Sequence, residues 1–145
     1  MKSFSIPVQV RWSDMDPNFH LRHSVYYDWG AMCRVEFLGK YGLTLEHMQE
    51  FQFGPIIFRE ECVFHKEIRL GDPVTISLEM LKSKRDFSRW TISHTVFRDK
   101  DTVAAILTIE GAWLDTGKRK LILPPVEAVK IFSLMPLGEN FIWAE

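Results

Sequence analysis

Apolar and polar side chains alternate along five segments of the chain, and a repeat of two residues predicts β-strands that bury one face. In the third segment, for example, Val74, Ile76 and Leu78 share one side of the strand. The five segments are residues 4–12, 55–68, 74–82, 87–98 and 102–115. Runs of this length, joined by turns, indicate an antiparallel sheet with one buried face.

Residues 24–41 follow the repeat of an α-helix instead. Their apolar positions, which cover most of the helix circumference, are Val25, Tyr26, Trp29, Met32, Cys33, Val35, Phe37 and Leu38. A helix that is apolar nearly all round is expected to be buried nearly all round. Shorter helices are predicted for residues 43–51, with Thr44 as the N-cap, and for residues 126–133.

Turn-forming residues separate these elements. Gly71-Asp72-Pro73 and residues 98–101 are typical of hairpin links, and Thr116-Gly117 precedes a last strand that Pro124-Pro125 ends. No repeat, linker or low-complexity tract interrupts the order. We expect one α+β domain over residues 1–145, with a curved antiparallel sheet of about five or six strands wrapped around one long central helix.

The predicted outer face of the sheet carries more apolar side chains than a solvated face needs. They are Ile57, Val63, Leu81, Phe97, Ala104, Ile106 and Leu114, together with Thr75. This composition predicts that a second subunit covers part of the face or pairs with an edge strand, as in a homodimer or homotetramer.

Composition and charge exclude several classes of partner. The 145 residues include 18 basic and 19 acidic side chains, so nothing favours binding to nucleic acid or an anionic membrane. No apolar run approaches the roughly 20 residues of a membrane span, and the amino terminus alternates like a strand rather than a signal peptide. We expect a cytoplasmic protein. Cys33 and Cys62 lack the spacing of a zinc site and are expected to be buried as small apolar residues.

The chemistry-bearing part of the chain is residues 12–26, WSDMDPNFHLRHSVY. Asp16 followed by Pro17 has the composition of a β-turn, and the residues alone leave open whether Asp16 shapes the chain or reacts. Asp14, Asp16, His20 and His23 are the types that bind zinc or iron, but their spacing lacks the same-face placement of a helical metal motif. Ser24 is the expected N-cap of the long helix; no G-x-S-x-G elbow marks it as a nucleophile.

Four motifs follow one another along the chain. They are D-x-D-P-N-x-H at residues 14–20, the helix start SVYY at residues 24–27, LGDPVTI at residues 70–76, and TIEGAWLD at residues 108–115, which leads to LPP at residues 123–125. In this order and spacing the sequence resembles the hotdog-fold acyl-CoA thioesterases of the 4-hydroxybenzoyl-CoA thioesterase type. The resemblance covers roughly residues 4–130. It implies a hotdog fold and hydrolysis of an acyl-CoA or acyl carrier protein thioester, with no metal or redox cofactor required.

The resemblance also implies roles for particular residues. Asp16 matches the catalytic carboxylate, as nucleophile or as general base, and the backbone N–H groups around His23 and Ser24 match the oxyanion site at the helix start. His20 and Tyr26 are expected in the substrate pocket. Exposed cations at a predicted hairpin end are expected to meet the phosphates of coenzyme A, and these are Lys82, Lys84 and Arg85.

The sequence departs from the family pattern just before the helix. Where many relatives carry a run like G-H-x-N-N, residues 19–24 read FHLRHS. Because Arg22 and His23 replace neutral amides, we hypothesise a preference for polar or acidic acyl groups. Strand alternation also turns Glu60 or Glu61 inward, either as a second catalytic carboxylate or as a structural partner of the helix.

Two alternatives to a thioesterase stay open from the sequence. One is a non-catalytic protein that binds acyl thioesters on the same fold, because a fold does not fix a function. The other is a hotdog dehydratase acting on 3-hydroxyacyl thioesters, which requires a histidine and an acid facing each other across the helix.

Overall fold

The structure is a computed structural model and describes residues 3–145. In chain order its elements are β1 (Ser5–Val8), a 3-10 turn (Trp12–Asp14), α1 (Val25–Lys40), α2 (Leu45–Glu50), β2 (Phe53–Phe64), β3 (Val74–Ser77), β4 (Glu79–Ser83), β5 (Arg89–Arg98), β6 (Thr102–Asp115), β7 (Lys120–Ile122), α3 (Val126–Phe132) and β8 (Leu137–Trp143).

All eight of these strands join one sheet, and β6 lies near its middle. β6 pairs antiparallel with β2 on one side and with β5 on the other. β7 also pairs with β6, on the same side as β5 and beyond the end of β5. β5 pairs in turn with β3 and β4, which are flanked by β1 and β8. Only β8 runs parallel to its neighbour. The antiparallel sheet predicted from the two-residue repeat is confirmed.

The long helix α1 packs against one face of this sheet, where it contacts β1, β3 and β6. Gly30 makes the close approach possible, because a Cβ there would lie 3.1 Å from Leu107 Cδ2 and 3.3 Å from His94 Cδ2. The predicted hotdog arrangement of one long helix against an antiparallel sheet is confirmed. Burial all round is wrong, since Met32 keeps 51% of its surface exposed and Val35 is also exposed.

Several predicted strand boundaries differ from the structure. The first strand ends at Val8 instead of residue 12, because the Asp14 carboxylate accepts the Arg11 N–H and begins a 3-10 turn. The predicted strand 74–82 is divided at the buried Leu78, whose N–H donates to Phe4 O outside the regular ladder. Residues 71–73 are not a hairpin link, since β2 and β3 pair with different strands. β8 was not predicted, because most of its side chains are exposed and leave no alternation.

The short helices follow the predicted signals. Thr44 caps α2 by accepting the His47 N–H at 3.1 Å, and Gly42 ends the preceding segment with φ 96°. None of the helices in residues 3–145 is both long enough and apolar enough to cross a membrane.

Candidate active site

The loop before α1 is closed by its own backbone. Met15 forms an isolated antiparallel bridge with Leu21, and the Asp16 N–H donates to His20 O at 2.9 Å. Within this loop the Phe19 N–H donates to Asp16 O at 3.1 Å, which makes residues 16–19 a hydrogen-bonded β-turn. The turn predicted from Asp16 and Pro17 is confirmed.

The side chain of Asp16 is held by the same turn. Its Oδ1 accepts the Asn18 N–H at 2.8 Å and the His20 N–H at 3.4 Å. Its Oδ2 lies 3.2 Å from Nδ1 of His20. With 22% of the side chain still exposed, Asp16 presents a carboxylate of fixed orientation that solvent and a ligand can reach.

Asp14, two residues earlier, has a different environment. Its buried carboxylate accepts hydrogen bonds from the guanidinium of Arg11 at 2.8 and 3.2 Å and lies 3.9 Å from Arg22 Nη2. The hydrogen bonds from Arg11 hold the pKa of Asp14 below its usual range. Asp14 therefore anchors the loop. No group of three or more His, Cys, Asp or Glu side chains in residues 3–145 is placed to hold a metal ion.

The start of α1 leaves two backbone donors without acceptors. The Arg22 N–H donates to Asp14 O and the Val25 N–H donates to Arg22 O. Between them, the N–H groups of His23 and Ser24 donate to no protein atom among the described residues, and both residues are exposed. Ser24 occupies the predicted N-cap position, but its backbone is helical and its hydroxyl makes no capping bond. The helix start thus offers uncapped N–H groups at the positive end of its dipole.

Asp16 and the helix start at His23 line one groove, with a volume of about 510 Å³, and Asp14 and Ser24 are not among its lining residues. Four residues predicted from the sequence line it, namely Asp16, His20, His23 and Tyr26; the others are Leu21, Phe64, His65, Lys66 and Glu67. Tyr26 packs edge-on against Phe64 at 5.0 Å between ring centroids. Burial raises the pKa of Tyr26 to about 12, so its phenol stays protonated as a potential hydrogen-bond donor.

The structure does not bring the predicted phosphate-binding cations to this groove. Lys82 and Lys84 line a separate surface depression beside Arg89, and Arg85 stacks on Trp143 at 5.2 Å. Lys82 of β4 lies opposite Thr91 of β5 in the sheet. The groove residue Phe64 of β2 aligns, across β6, with Val96 of β5. Five residues of β-strand separate these levels, or about 17 Å.

Arg22 and Glu60 are also placed by the structure. Arg22 is directed toward Asp14 and is not among the residues that line the groove. Glu60 faces α1, where its Oε2 lies 3.9 Å from Nη2 of Arg34, so the predicted inward glutamate has a helix residue as its partner.

The contribution of residues 65–67 to the groove was not predicted. They were assigned to the strand segment 55–68, whereas β2 ends at Phe64 and the N–H groups of His65 and Lys66 both donate to Ala104 O. The pairing of Arg34 with the buried His94 was not predicted either, because the alternation in β5 does not show which residue a histidine contacts.

The sequence was compared with known families and structures. Residues 10–132 match the family described as the Thioesterase-like superfamily. The chain belongs to this superfamily. A comparison with curated proteins found no match.

Solved structures similar to this member of the Thioesterase-like superfamily share its fold at low sequence identity. A 1,4-dihydroxy-2-naphthoyl-CoA thioesterase from Synechocystis is 13% identical, with a TM-score of 0.80, and the match covers 91% of this chain and 96% of that one. A Staphylococcus aureus protein in complex with CoA is 17% identical, with a TM-score of 0.81 and coverage of 96% and 91%. A Thermus thermophilus thioesterase complexed with coenzyme A and Zn is 22% identical, with a TM-score of 0.72 and coverage of 88% and 90%.

Proposed function

We propose that the protein is a thioester hydrolase that cleaves an acyl-CoA, or an acyl carrier protein thioester, to a free acid and a thiol. The observation that carries the proposal is the position of the fixed Asp16 carboxylate in one groove with His23, whose N–H, like that of Ser24, has no acceptor in residues 3–145. Membership of the Thioesterase-like superfamily and the CoA in two similar structures support the same reaction.

In the proposed reaction Asp16 acts as a general base. It takes a proton from water, whose oxygen attacks the thioester carbonyl carbon while the C=O electron pair moves onto oxygen. The N–H groups of His23 and Ser24 stabilise this oxyanion. Collapse of the tetrahedral intermediate breaks the C–S bond, and the departing thiolate takes up the proton held by Asp16.

Nucleophilic attack by Asp16 is the alternative role, and it forms a mixed anhydride that water then cleaves. After a single turnover in H₂¹⁸O, label in the Asp16 carboxylate identifies nucleophilic attack followed by hydrolysis at the Asp16 carbonyl carbon. Label in the product acid alone is the result for a general base and also for an anhydride cleaved at its acyl carbon. Hydroxylamine separates these two cases, because it traps only the anhydride.

His20 is proposed to position Asp16 and to contact substrate. Its Nδ1 lies 3.2 Å from Asp16 Oδ2 and 3.5 Å from Leu21 O, so the proton on Nδ1 has two acceptors. Nε2 makes no hydrogen bond to residues 3–145 and is available to the ligand. His20→Asn should lower kcat less than a change at Asp16, because the turn still holds the carboxylate through Oδ1.

A second subunit would complete the proposed site. In the part of the chain that the structure describes, β2 pairs with β6 alone and leaves its other side open, and Val63 on this strand keeps 52% of its surface exposed. We propose a homodimer or homotetramer in which Lys82, Lys84 and Arg85 bind the CoA phosphates of the neighbouring subunit's substrate. Within one chain these cations lie about 17 Å from the groove, so the phosphate contacts are assigned to the cations of the neighbouring subunit.

The decisive experiment is Asp16→Asn with an acyl-CoA panel and detection of free thiol. Asparagine keeps the Oδ1 acceptor and hence the turn, but it cannot take a proton, so kcat should fall about a hundredfold or more. Asp115→Asn is the matched control, because Asp115 Oδ1 accepts two backbone N–H groups at 2.9 Å in a turn outside the groove. Equal activity of Asp16→Asn and the wild type would contradict the proposal.

The same panel tests the other functions. Wild-type binding without cleavage at any acyl length would identify a non-catalytic thioester-binding protein. Hydration of crotonyl-CoA would identify a dehydratase.

A further inference from the structure

A second cavity lies between the C-terminal half of α1 and the sheet, and we call it the α1 cavity. Its volume is about 350 Å³, and α2, α3 and β2 also line it. Most lining side chains are apolar, including Leu38, Met48, Ile92 and Phe132. Arg34 is the only charged residue among the described residues that line it. A guanidinium that faces an apolar cavity needs a hydrogen-bonding or charged partner, because burial of an unpaired charge is costly.

The guanidinium of Arg34 is incompletely paired by the protein. Its Nη1 donates to Nε2 of His94 at 2.9 Å, which is its only hydrogen bond to residues 3–145. Nη2 lies 3.9 Å from Oε2 of Glu60, beyond hydrogen-bond distance. Since 15% of the Arg34 side chain is exposed, its remaining N–H donors are available to a ligand.

His94 orients this guanidinium without neutralising it. Its Nδ1–H donates to Ser77 O at 2.9 Å, so its Nε2 carries the lone pair that accepts from Arg34. The ring is fully buried, and burial together with the charge of Arg34 lowers the pKa of His94 to about 3. An uncharged His94 cannot neutralise Arg34. In the described part of the chain the only carboxylate that faces Arg34 is Glu60, which is half-buried and makes no side-chain hydrogen bond there.

Trp90, which lines this cavity, also carries a donor without an acceptor. Its indole Nε1 is buried and has no hydrogen-bond partner in residues 3–145, and the residue lies between the α1 cavity and the depression beside Lys82. Both unpaired polar groups are donors, and the rest of the wall is apolar. Such a cavity is complementary to an aliphatic ligand that carries oxygen acceptors.

We propose that the α1 cavity receives the acyl chain of the substrate and that Arg34 binds a carboxylate at the far end of that chain. This inference rests on the proposed thioesterase function and names its substrate class, the CoA thioesters of medium-chain dicarboxylic acids. The thioester carbonyl is placed at the N–H groups of His23 and Ser24, and Arg34 lies ten residues beyond Ser24, or about 15 Å along the helix. The Arg34 side chain shortens this span, because side chains of an α-helix point back toward its N-terminus. An extended medium-length chain spans this distance, and the bidentate guanidinium suits its terminal carboxylate.

The binding test needs no hydrolysis. Calorimetry compares octanoate with 1-octanol, which has the same chain and no charge. The wild type should bind octanoate about tenfold more tightly, the effect of one charge-assisted hydrogen bond. Arg34→Gln should remove the preference and Arg34→Lys should keep part of it. Glu60→Gln should strengthen octanoate binding, because it removes the carboxylate that competes for Arg34, whereas a purely structural pair predicts no gain.

Equal affinity of the wild type for octanoate and 1-octanol would overturn the inference, and so would a preference that persists in Arg34→Gln. Thermal unfolding shows whether each variant is folded. If Arg34→Gln does not fold, the comparison of octanoate with 1-octanol in the wild type and in Glu60→Gln decides whether Arg34 binds carboxylates.

Hydrolysis separates failure of this inference from failure of the proposed function. The wild type should cleave octanedioyl-CoA with a kcat/KM about tenfold above that for octanoyl-CoA, and Arg34→Gln should reverse the order. Equal rates on both substrates would reject the role of Arg34 and leave the thioesterase intact. Cleavage of neither substrate and of no other member of the acyl-CoA panel would reject the thioesterase, and the octanoate measurement would still decide whether Arg34 binds carboxylates.

Discussion

Gly111 of β6 lies beneath the indole of its cross-strand partner, Trp90 of β5. A Cβ at position 111 would lie 2.4 Å from Trp90 Cη2 and 2.4 Å from Ile56 O. Because Trp90 lines the α1 cavity, the absence of a side chain at Gly111 determines where one wall of that cavity lies.

Gly111→Ala should therefore be strongly destabilising, by about 3 kcal/mol in the free energy of unfolding, since neither the indole nor the backbone oxygen has room to move. Urea unfolding measures the change. Gly54→Ala is the control: no atom lies within 4 Å of a Cβ there, and a change below about 0.5 kcal/mol is expected. Equal stability of the two variants would contradict the packing described.

His94 should make stability depend on pH. Its pKa is lowered from 6.5 to about 3 in the folded protein, so between these values the unfolded chain binds a proton that the folded chain does not. Stability is then lost as the pH falls through this window, by at most about 1.4 kcal/mol per pH unit from this one group.

Urea unfolding of wild type and His94→Gln between pH 7 and pH 4.5 tests this expectation. The variant lacks the titrating ring and should show the weaker pH dependence. An NMR titration that places the protonation of His94 near 6.5 would refute it.

The buried carboxylate of Asp14 should stabilise the loop that carries Asp16. Asp14→Asn loses charge-assisted hydrogen bonds from Arg11 and should lower the free energy of unfolding by about 1–3 kcal/mol. Because the folded pKa of Asp14 lies below its ordinary value of 3.8, its contribution is present above that value and is lost as the pH falls through the folded pKa.

Unfolding curves at neutral pH provide the measurement for Asp14→Asn. Asp99→Asn is the comparison, because Asp99 lies in an exposed turn with only a 3.8 Å contact to Arg98, and its effect should stay within about 0.5 kcal/mol. A loss no larger than that of Asp99→Asn would argue against an anchoring role.

The open side of β2 should mediate assembly. Light scattering should find the wild type as a dimer or tetramer, and Val63→Asp should shift it toward the monomer by placing two like charges near one another. Leu121→Asp changes an equally exposed apolar residue on β7 and should leave the assembly intact. A monomeric wild type would refute the predicted assembly and the shared phosphate site.

Much of the fold follows from local patterns. The two-residue repeat predicts β5 and β6 closely because each buries one face, and the apolar helix pattern places α1 within one residue at each end. The strand β8 was not predicted, because its side chains are largely exposed and show no alternation. It forms a strand because it pairs with β4, which its own sequence does not show. The division of the predicted strand 74–82 at Leu78 also depends on pairing. Its first half, β3, pairs with β1, and its second half, β4, pairs with β8.

For the candidate site, the sequence by itself determined the turn at Asp16, because aspartate and proline have local conformational preferences that need no distant partner. Only the tertiary structure decided which cation faces the apolar interior. The sequence suggested Arg22 and His23 as the residues that favour acidic acyl groups, yet Arg22 lies beside Asp14, while Arg34 reaches His94 and Glu60 from α1. Contacts between residues as many as 60 positions apart depend on how helix and sheet pack, and no local pattern encodes that distance.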